Sequence, residues 1–184
     1  MKKNILIISL IFLVITVAFG KKINHSTFTK HYSLAKEGNM KLTTVFEHNG
    51  SIPSEYTCDG KDLAPVLNVS EVPVSAKELV LIVDDPDAPM GTWVHWVLYN
   101  IPVNTAKIDN KNLSKEIKQG MTDFGRIGWG GPCPPSGTHR YFFKLYAVDK
   151  TLNLPLGATK SQVEKEIKGH IIEKTELIGL YKRR

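Results

Sequence analysis

Cysteine is nearly missing from this sequence: it occurs twice, at Cys58 and Cys133. No C-x-x-C exists to suggest a zinc ribbon or a dithiol redox centre. No H-x-x-x-H spacing is present either, so a helical metal site has no support. A G-x-S-x-G elbow is absent, which removes the commonest hydrolase signature. Charge of one sign does not dominate. The chain carries 24 Lys and Arg against 18 Asp and Glu, a formal net charge of +6, and its lysines are interspersed with acids rather than gathered in an aromatic-rich basic stripe. Nucleic-acid binding is therefore not expected. The long apolar run, residues 5–19, falls short of the roughly 20 residues a membrane span requires.

That apolar run is preceded by Lys2 and Lys3 and ends at Ala18-Phe19-Gly20, the n-region, h-region and small-x-small cleavage site of an export signal. Residues 1–20 are read as a cleaved signal peptide, with cleavage near Gly20. The mature chain is then secreted or periplasmic and has no integral membrane span. An uncleaved amino-terminal anchor is the weaker reading. Removing Lys2 and Lys3 lowers the net charge from +6 to +4. Residues 21–39 are polar and aperiodic, a flexible tether. Residues 40–184 are expected to form one domain, since 184 residues fill one core well and two poorly. Export permits a Cys58–Cys133 disulfide. Two reduced thiols are the alternative, because spacing alone does not bring their Cα atoms together.

Within the domain the signals are mostly of strand type. Leu42, Thr44 and Phe46 alternate with period two. Residues 66–69 read as a short strand, and ELVLIV at 78–83 is apolar on both parities, like a central strand. A loop is expected over 84–89. The next strand, 93–99, alternates to place Trp93, His95, Val97 and Tyr99 on one face. Residues 102–125 read as loop, and 141–148 as a strong strand. The one helical signal follows Thr159 or Ser161, either of which can cap a run through Val163 and Ile167 that Gly169 ends or bends; Glu164 would complete a capping box with Ser161. A last strand over 175–181 follows, either directly or after a helical turn at 171–176. This inventory predicts a mainly-β domain, a sandwich of two sheets.

Two stretches carry the chemistry. DPDAP at 85–89 leads into WVHWVLYNIP at 93–102, and GPCPPSGTHRYFFKLYAVD spans 131–149. Each runs a proline-punctuated loop into an aromatic strand that holds a histidine. Together with IPSEYTCDG at 52–60 and LPLGATKSQVEKEIKGHI at 154–171, they strongly resemble the phosphatidylethanolamine-binding protein family, also called the Raf kinase inhibitor protein family, in its bacterial and archaeal branch. The resemblance covers about residues 42–181. It implies a Greek-key sandwich of two antiparallel sheets, a short helix near the carboxyl terminus and a small anion pocket at one end. By position that pocket is built from Asp85, Asp87, His95, the Gly131-Pro132 backbone, His139 and Tyr141. Val69 and Ala64 stand where the family often has tryptophan and serine.

In this reading Asp85 orients an imidazole, with His95 as the partner expected, and keeps it cationic. His95, His139 and the Tyr141 hydroxyl then face an anion as donors, and amides of Gly130 and Gly131 add neutral ones. Trp93 and Trp129, each at a strand or loop end, are candidates for a pocket wall. Asp87 is either a site group or a turn-former bonded to its own backbone, and Arg140 points away to the scaffold. Expected ligands are a phosphorylated small molecule, a phospholipid head group or a phospho-side chain. Binding should weaken as the histidines lose protons. No cofactor or metal is expected, and the chain is read as non-catalytic. The alternatives are an interaction protein that inhibits an enzyme through surface loops, and a weak hydrolase using Cys133 or Ser136 or a metal on His95, His139 and Asp85. A homodimer stays open, and an exported protein does not meet cytosolic kinases.

Overall fold

The computed structural model describes residues 40–183. The expected export signal at 1–20 and tether at 21–39 lie outside them. The described elements are strands β1 (Lys41–Thr43), β2 (Gly50–Ser51), β3 (Leu67–Ser70), β4 (Glu78–Asp85), β5 (Trp93–Ile101), β6 (Lys107–Ile108), β7 (Lys118–Gln119), β8 (His139–Val148) and β9 (Ile171–Tyr181), with helix α1 (Lys160–Ile167) between β8 and β9. They form a three-stranded sheet, β1-β3-β6, and a six-stranded sheet, β2-β9-β8-β4-β5-β7. Pairing is antiparallel except at the edge, where β2 runs parallel to β9. The chain leaves β5 on one side of β4 and returns as β8 on the other, the long return of a Greek key.

Why two layers form follows from burial. Leu42, Val69 and Ile108 of the small sheet share one apolar cluster with Leu81, Phe143 and Leu145 of the large sheet. The opposite face of the large sheet is covered by α1, whose Val163 and Ile167 pack with Val80, Ile82, Val97 and Tyr99. Strand β4 is therefore buried along its whole length, as its double-parity apolar run requires. The helix starts at a capping box between Thr159 and Gln162, so the Ser161–Glu164 pair is not the one used. Gly169 takes φ +81 and turns the chain out of the helix. No helical turn precedes the final strand, because residues from Ile171 onward pair with β8.

Three departures from the sequence expectation concern the site. First, β4 continues through Asp84 and Asp85, which were expected in a loop. Asp84 pairs with Val94 and Phe142, and Asp85 with Trp93. Second, β5 does not alternate evenly. Val83 lies opposite Trp96 and Asp84 opposite Val94, so His95 is the extra residue of a β-bulge. The bulge shifts the phase: Trp96 and Leu98 enter the core between the sheets, while Val97 and Tyr99 turn toward α1 instead of sharing a face with His95. Third, residues 102–125 contain β6 and β7 as well as loop, each two residues long and too short to show a period.

Cys58 and Cys133 are bonded, with Cα atoms 5.4 Å apart. The bond ties the loop after β2 to the loop before β8. Among the described residues, no helix is long and apolar enough to cross a membrane.

Candidate functional site

Strands β5, β4 and β8 are neighbours in the large sheet, and at one end of that sheet they bring His95, Asp85, His139 and Tyr141 to the wall of one cavity of about 430 Å³. Its remaining wall is mostly apolar. Ala88, Pro89 and Met90 come from the β4–β5 loop, Trp93 and Phe124 supply rings, and Cys133, Pro134 and Pro135 come from the loop before β8.

The polar base is wired in one direction. His139 Nδ1 lies 2.7 Å from Asp85 Oδ2, and Asp85 Oδ1 accepts the amide of Asp87 at 2.8 Å. Asp85 thus orients His139, not His95. The His95 ring instead places Nδ1 2.6 Å from the Gly130 carbonyl. A carbonyl only accepts, so Nδ1 carries the proton and a neutral His95 presents a bare Nε2. Burial pushes the His95 imidazole below its ordinary pKa, and the attraction of Gly130 and Asp85 does not offset it. His95 is neutral, not the cation expected from sequence. Its ring meets Tyr141 and Phe124 edge-on, with centroids 5.1 and 5.4 Å away.

The Tyr141 hydroxyl is buried and has no hydrogen-bond partner among the described residues. Burial raises its pKa strongly and the charge of Asp85 raises it further, so the phenol keeps its proton and is a donor in search of an acceptor. Asp87 and the two glycines behave otherwise. Asp87 lies outside the cavity wall and accepts from the Arg140 amide, Nε and Nη2 at 2.9, 2.9 and 2.7 Å, and that bonding holds its carboxyl down at about 2. The Gly130 amide donates to the His95 carbonyl and the Gly131 amide to Asp62 at 2.7 Å, so neither is free to add a neutral donor. The Pro132 carbonyl accepts from the Cys58 amide, and neither Gly131 nor Pro132 reaches the wall. Gly130 is needed for another reason: a Cβ there would stand 2.4 Å from the Phe124 ring.

The sequence profile of the phosphatidylethanolamine-binding proteins matches residues 42–182. The chain belongs to that family. A UPF0098 protein of Pyrococcus horikoshii is 47% identical over 154 residues, which cover 79% of this chain and 78% of its own. One from Aquifex aeolicus is 49% identical over 145 residues, covering 75% of this chain and 85% of its own. Among solved structures, a phosphatidylethanolamine-binding protein homolog from Chlamydia trachomatis superposes with a TM-score of 0.76 at 39% identity, over 80% of this chain and 99% of its own. Escherichia coli YbcL superposes with a TM-score of 0.74 at 26% identity, over 79% and 99%.

In this phosphatidylethanolamine-binding protein family member, the motifs locate four lining residues, Asp85, His95, His139 and Tyr141. The apolar wall is largely invisible to them. Of the two tryptophans that are wall candidates by position, Trp93 lines the cavity and Trp129 does not. Pro89 and Pro135 sit inside the same proline-rich loops as the titratable groups, and that adjacency is the signal available for them. Two hydrolase candidates lose their footing, since Cys133 Sγ is bonded and Ser136 lies off the wall. Among the described residues no three His, Cys, Asp or Glu side chains gather as a metal-binding group.

Proposed function

We propose that this chain is an exported, non-catalytic binding protein whose cavity takes a phosphate-like anion on an apolar body, and that the anion brings or recruits a proton. The observation that carries this reading is the unpartnered hydroxyl of Tyr141. Leaving such a group buried and unpaired costs about 1–3 kcal/mol, which an oxyanion accepting from it would recover. His139, held on the same cavity wall by its bond to Asp85, supports the same ligand with a fixed imidazole beside the Tyr141 hydroxyl.

His95 sets the further condition. A dianion would meet its bare Nε2 and be repelled, whereas a monoanion with one acidic hydroxyl can donate to it. Among the described residues no Lys or Arg lines the cavity, and Arg140 is held by Asp87. Charge neutralisation is therefore left to the proton that the anion brings or recruits, and binding should weaken as pH rises. The apolar wall suits a head group with an attached chain or ring better than a bare ion.

Titrating inorganic phosphate and phosphoethanolamine while following the ring resonances of His95 and His139 tests the site. Both rings should shift, and Tyr141→Phe should weaken binding about tenfold. Silence at both rings under saturating phosphate ends this reading. A second reading, an interaction protein, draws on Met90, 93% exposed at the cavity rim, and Phe124, 38% exposed. Capture of a protein by wild type but not by Met90→Asp would favour it.

A further inference from the structure

Five side-chain polar atoms among the described residues are buried without a hydrogen-bond partner. Tyr141 Oη belongs to the cavity above. Glu78 Oε1 and Asn100 Oδ1 belong to one core cluster, joined by the bond from Asn100 Nδ2 to Glu78 Oε2. The other two, Trp129 Nε1 and Asn110 Oδ1, come from residues that both line a second cavity of about 450 Å³. It shares no wall residue with the first. We propose that this second cavity is a separate ligand site, for a small organic anion that carries a hydroxyl or amide donor beside its charged group.

The two unpartnered atoms are opposite in sense, since an indole N–H only donates and an amide oxygen only accepts. A ligand that satisfies both must offer an acceptor and a donor. Neither atom is easily paired from within. Trp129 is 7% exposed and its ring is fixed edge-on to Trp96 and stacked near Phe143, at 5.7 and 6.2 Å. Gln119 Oε1, an acceptor on the same wall, is taken by Trp96 Nε1 at 3.0 Å. Asn110 sits in the turn Asn110–Asn112, which Asp109 holds by accepting from the Lys111 amide and Asn112 Nδ2.

The charge of the ligand follows from the rim. Lys61 and Lys111 reach the cavity and neither has a salt bridge among the described residues. Asp62, the one acid on this wall among the described residues, is offset by Arg126 Nη2 at 3.3 Å and by the Gly131 amide. The wall thus carries three basic side chains, Lys61, Lys111 and Arg126, against one acid, Asp62, among the described residues, while Leu63 and Ile127 give an apolar side. The volume lies within the range of small-molecule sites.

Gluconate and hexanoate test this directly, being six-carbon carboxylates with and without hydroxyls. The protein has three tryptophans, and the indole N–H resonance of Trp129 is assigned by its loss in Trp129→Phe. Gluconate should shift that resonance saturably and bind at least about tenfold more tightly than hexanoate at equal ionic strength. Asn110→Ala and the exposed-site variant Lys111→Ala should each weaken gluconate severalfold, whereas Tyr141→Phe in the first cavity should leave it unchanged. The proposal is overturned if the Trp129 resonance stays still, if it moves equally with both carboxylates or with salt alone, or if Lys111→Ala and Asn110→Ala both bind as wild type.

Discussion

Removing the Tyr141 hydroxyl should weaken anion binding without weakening the fold. The hydroxyl has no partner among the described residues, so Tyr141→Phe is expected to leave the urea midpoint unchanged or raise stability by up to about 1 kcal/mol. A clear loss of stability would show that the hydroxyl serves the fold. His95 has the opposite pH signature to its ligand-bound role. Its folded pKa lies below its ordinary value because of burial, so in the window beneath about 6.5 the unfolded chain binds more protons. That contribution is present above this window and is lost as pH falls through it. Wild type should therefore lose stability on acidification from pH 7 to 5 more steeply than His95→Gln, as read by urea midpoints. Asp87, held at about 2 by Arg140, contributes stability above the ordinary carboxylate range that is lost as pH falls toward 2. In Arg140→Ala its carboxyl should titrate near the ordinary value of about 3.9 in a carbon-detected NMR titration. Identities at this scale were legible, since the motifs pointed to Asp85, His95, His139 and Tyr141. Their partners were not, because the ring that Asp85 meets depends on strand register and bulge placement, which a two-residue period does not encode.

Elements show the same division. Strands β4 and β8 were readable from apolar density and β-branched content, while β6 and β7 carry too few residues to print a pattern. The bulge at His95 was hidden because alternation is the very rule it breaks. Polar character disguised the end of β4. Asp84 is fully buried there, yet it accepts from Lys144 at 2.6 and 2.9 Å and from Lys160 of α1 at 2.6 Å. This triad fastens the helix to the sheet, and Asp84→Asn, which leaves two lysines without their carboxylate, is expected to destabilise by about 3 kcal/mol in urea unfolding. The disulfide acts between loops, closing a sequence separation of 75 residues. The Cys58→Ser/Cys133→Ser double variant should lose about 2–5 kcal/mol, and because Cys133 lines the first cavity, its loop should also become more mobile in amide exchange.

At the scale of the molecule, a family sandwich carries a mainly apolar cavity at one end of its large sheet, with two imidazoles and one phenol at the base. The sequence motifs gave seven residues for this cavity, of which Asp85, His95, His139 and Tyr141 line it and Asp87, Gly131 and Pro132 do not. They led to a donor-rich, cationic picture of it that the hydrogen bonding revises, because the loop amides are engaged internally and His95 is neutral. We propose that this cavity takes an anion whose binding is linked to a proton. Export remains a proposal, with which a bonded Cys58–Cys133 pair is compatible, and loss of the first twenty residues is the outcome expected from amino-terminal sequencing of the exported protein. Proton linkage at this cavity is read by calorimetry of phosphoethanolamine binding at pH 7 in two buffers of different ionisation enthalpy. Net proton uptake is expected, reduced in His139→Gln, with affinity falling between pH 6 and pH 8. Binding with no proton exchange and no change of affinity across that range would contradict it.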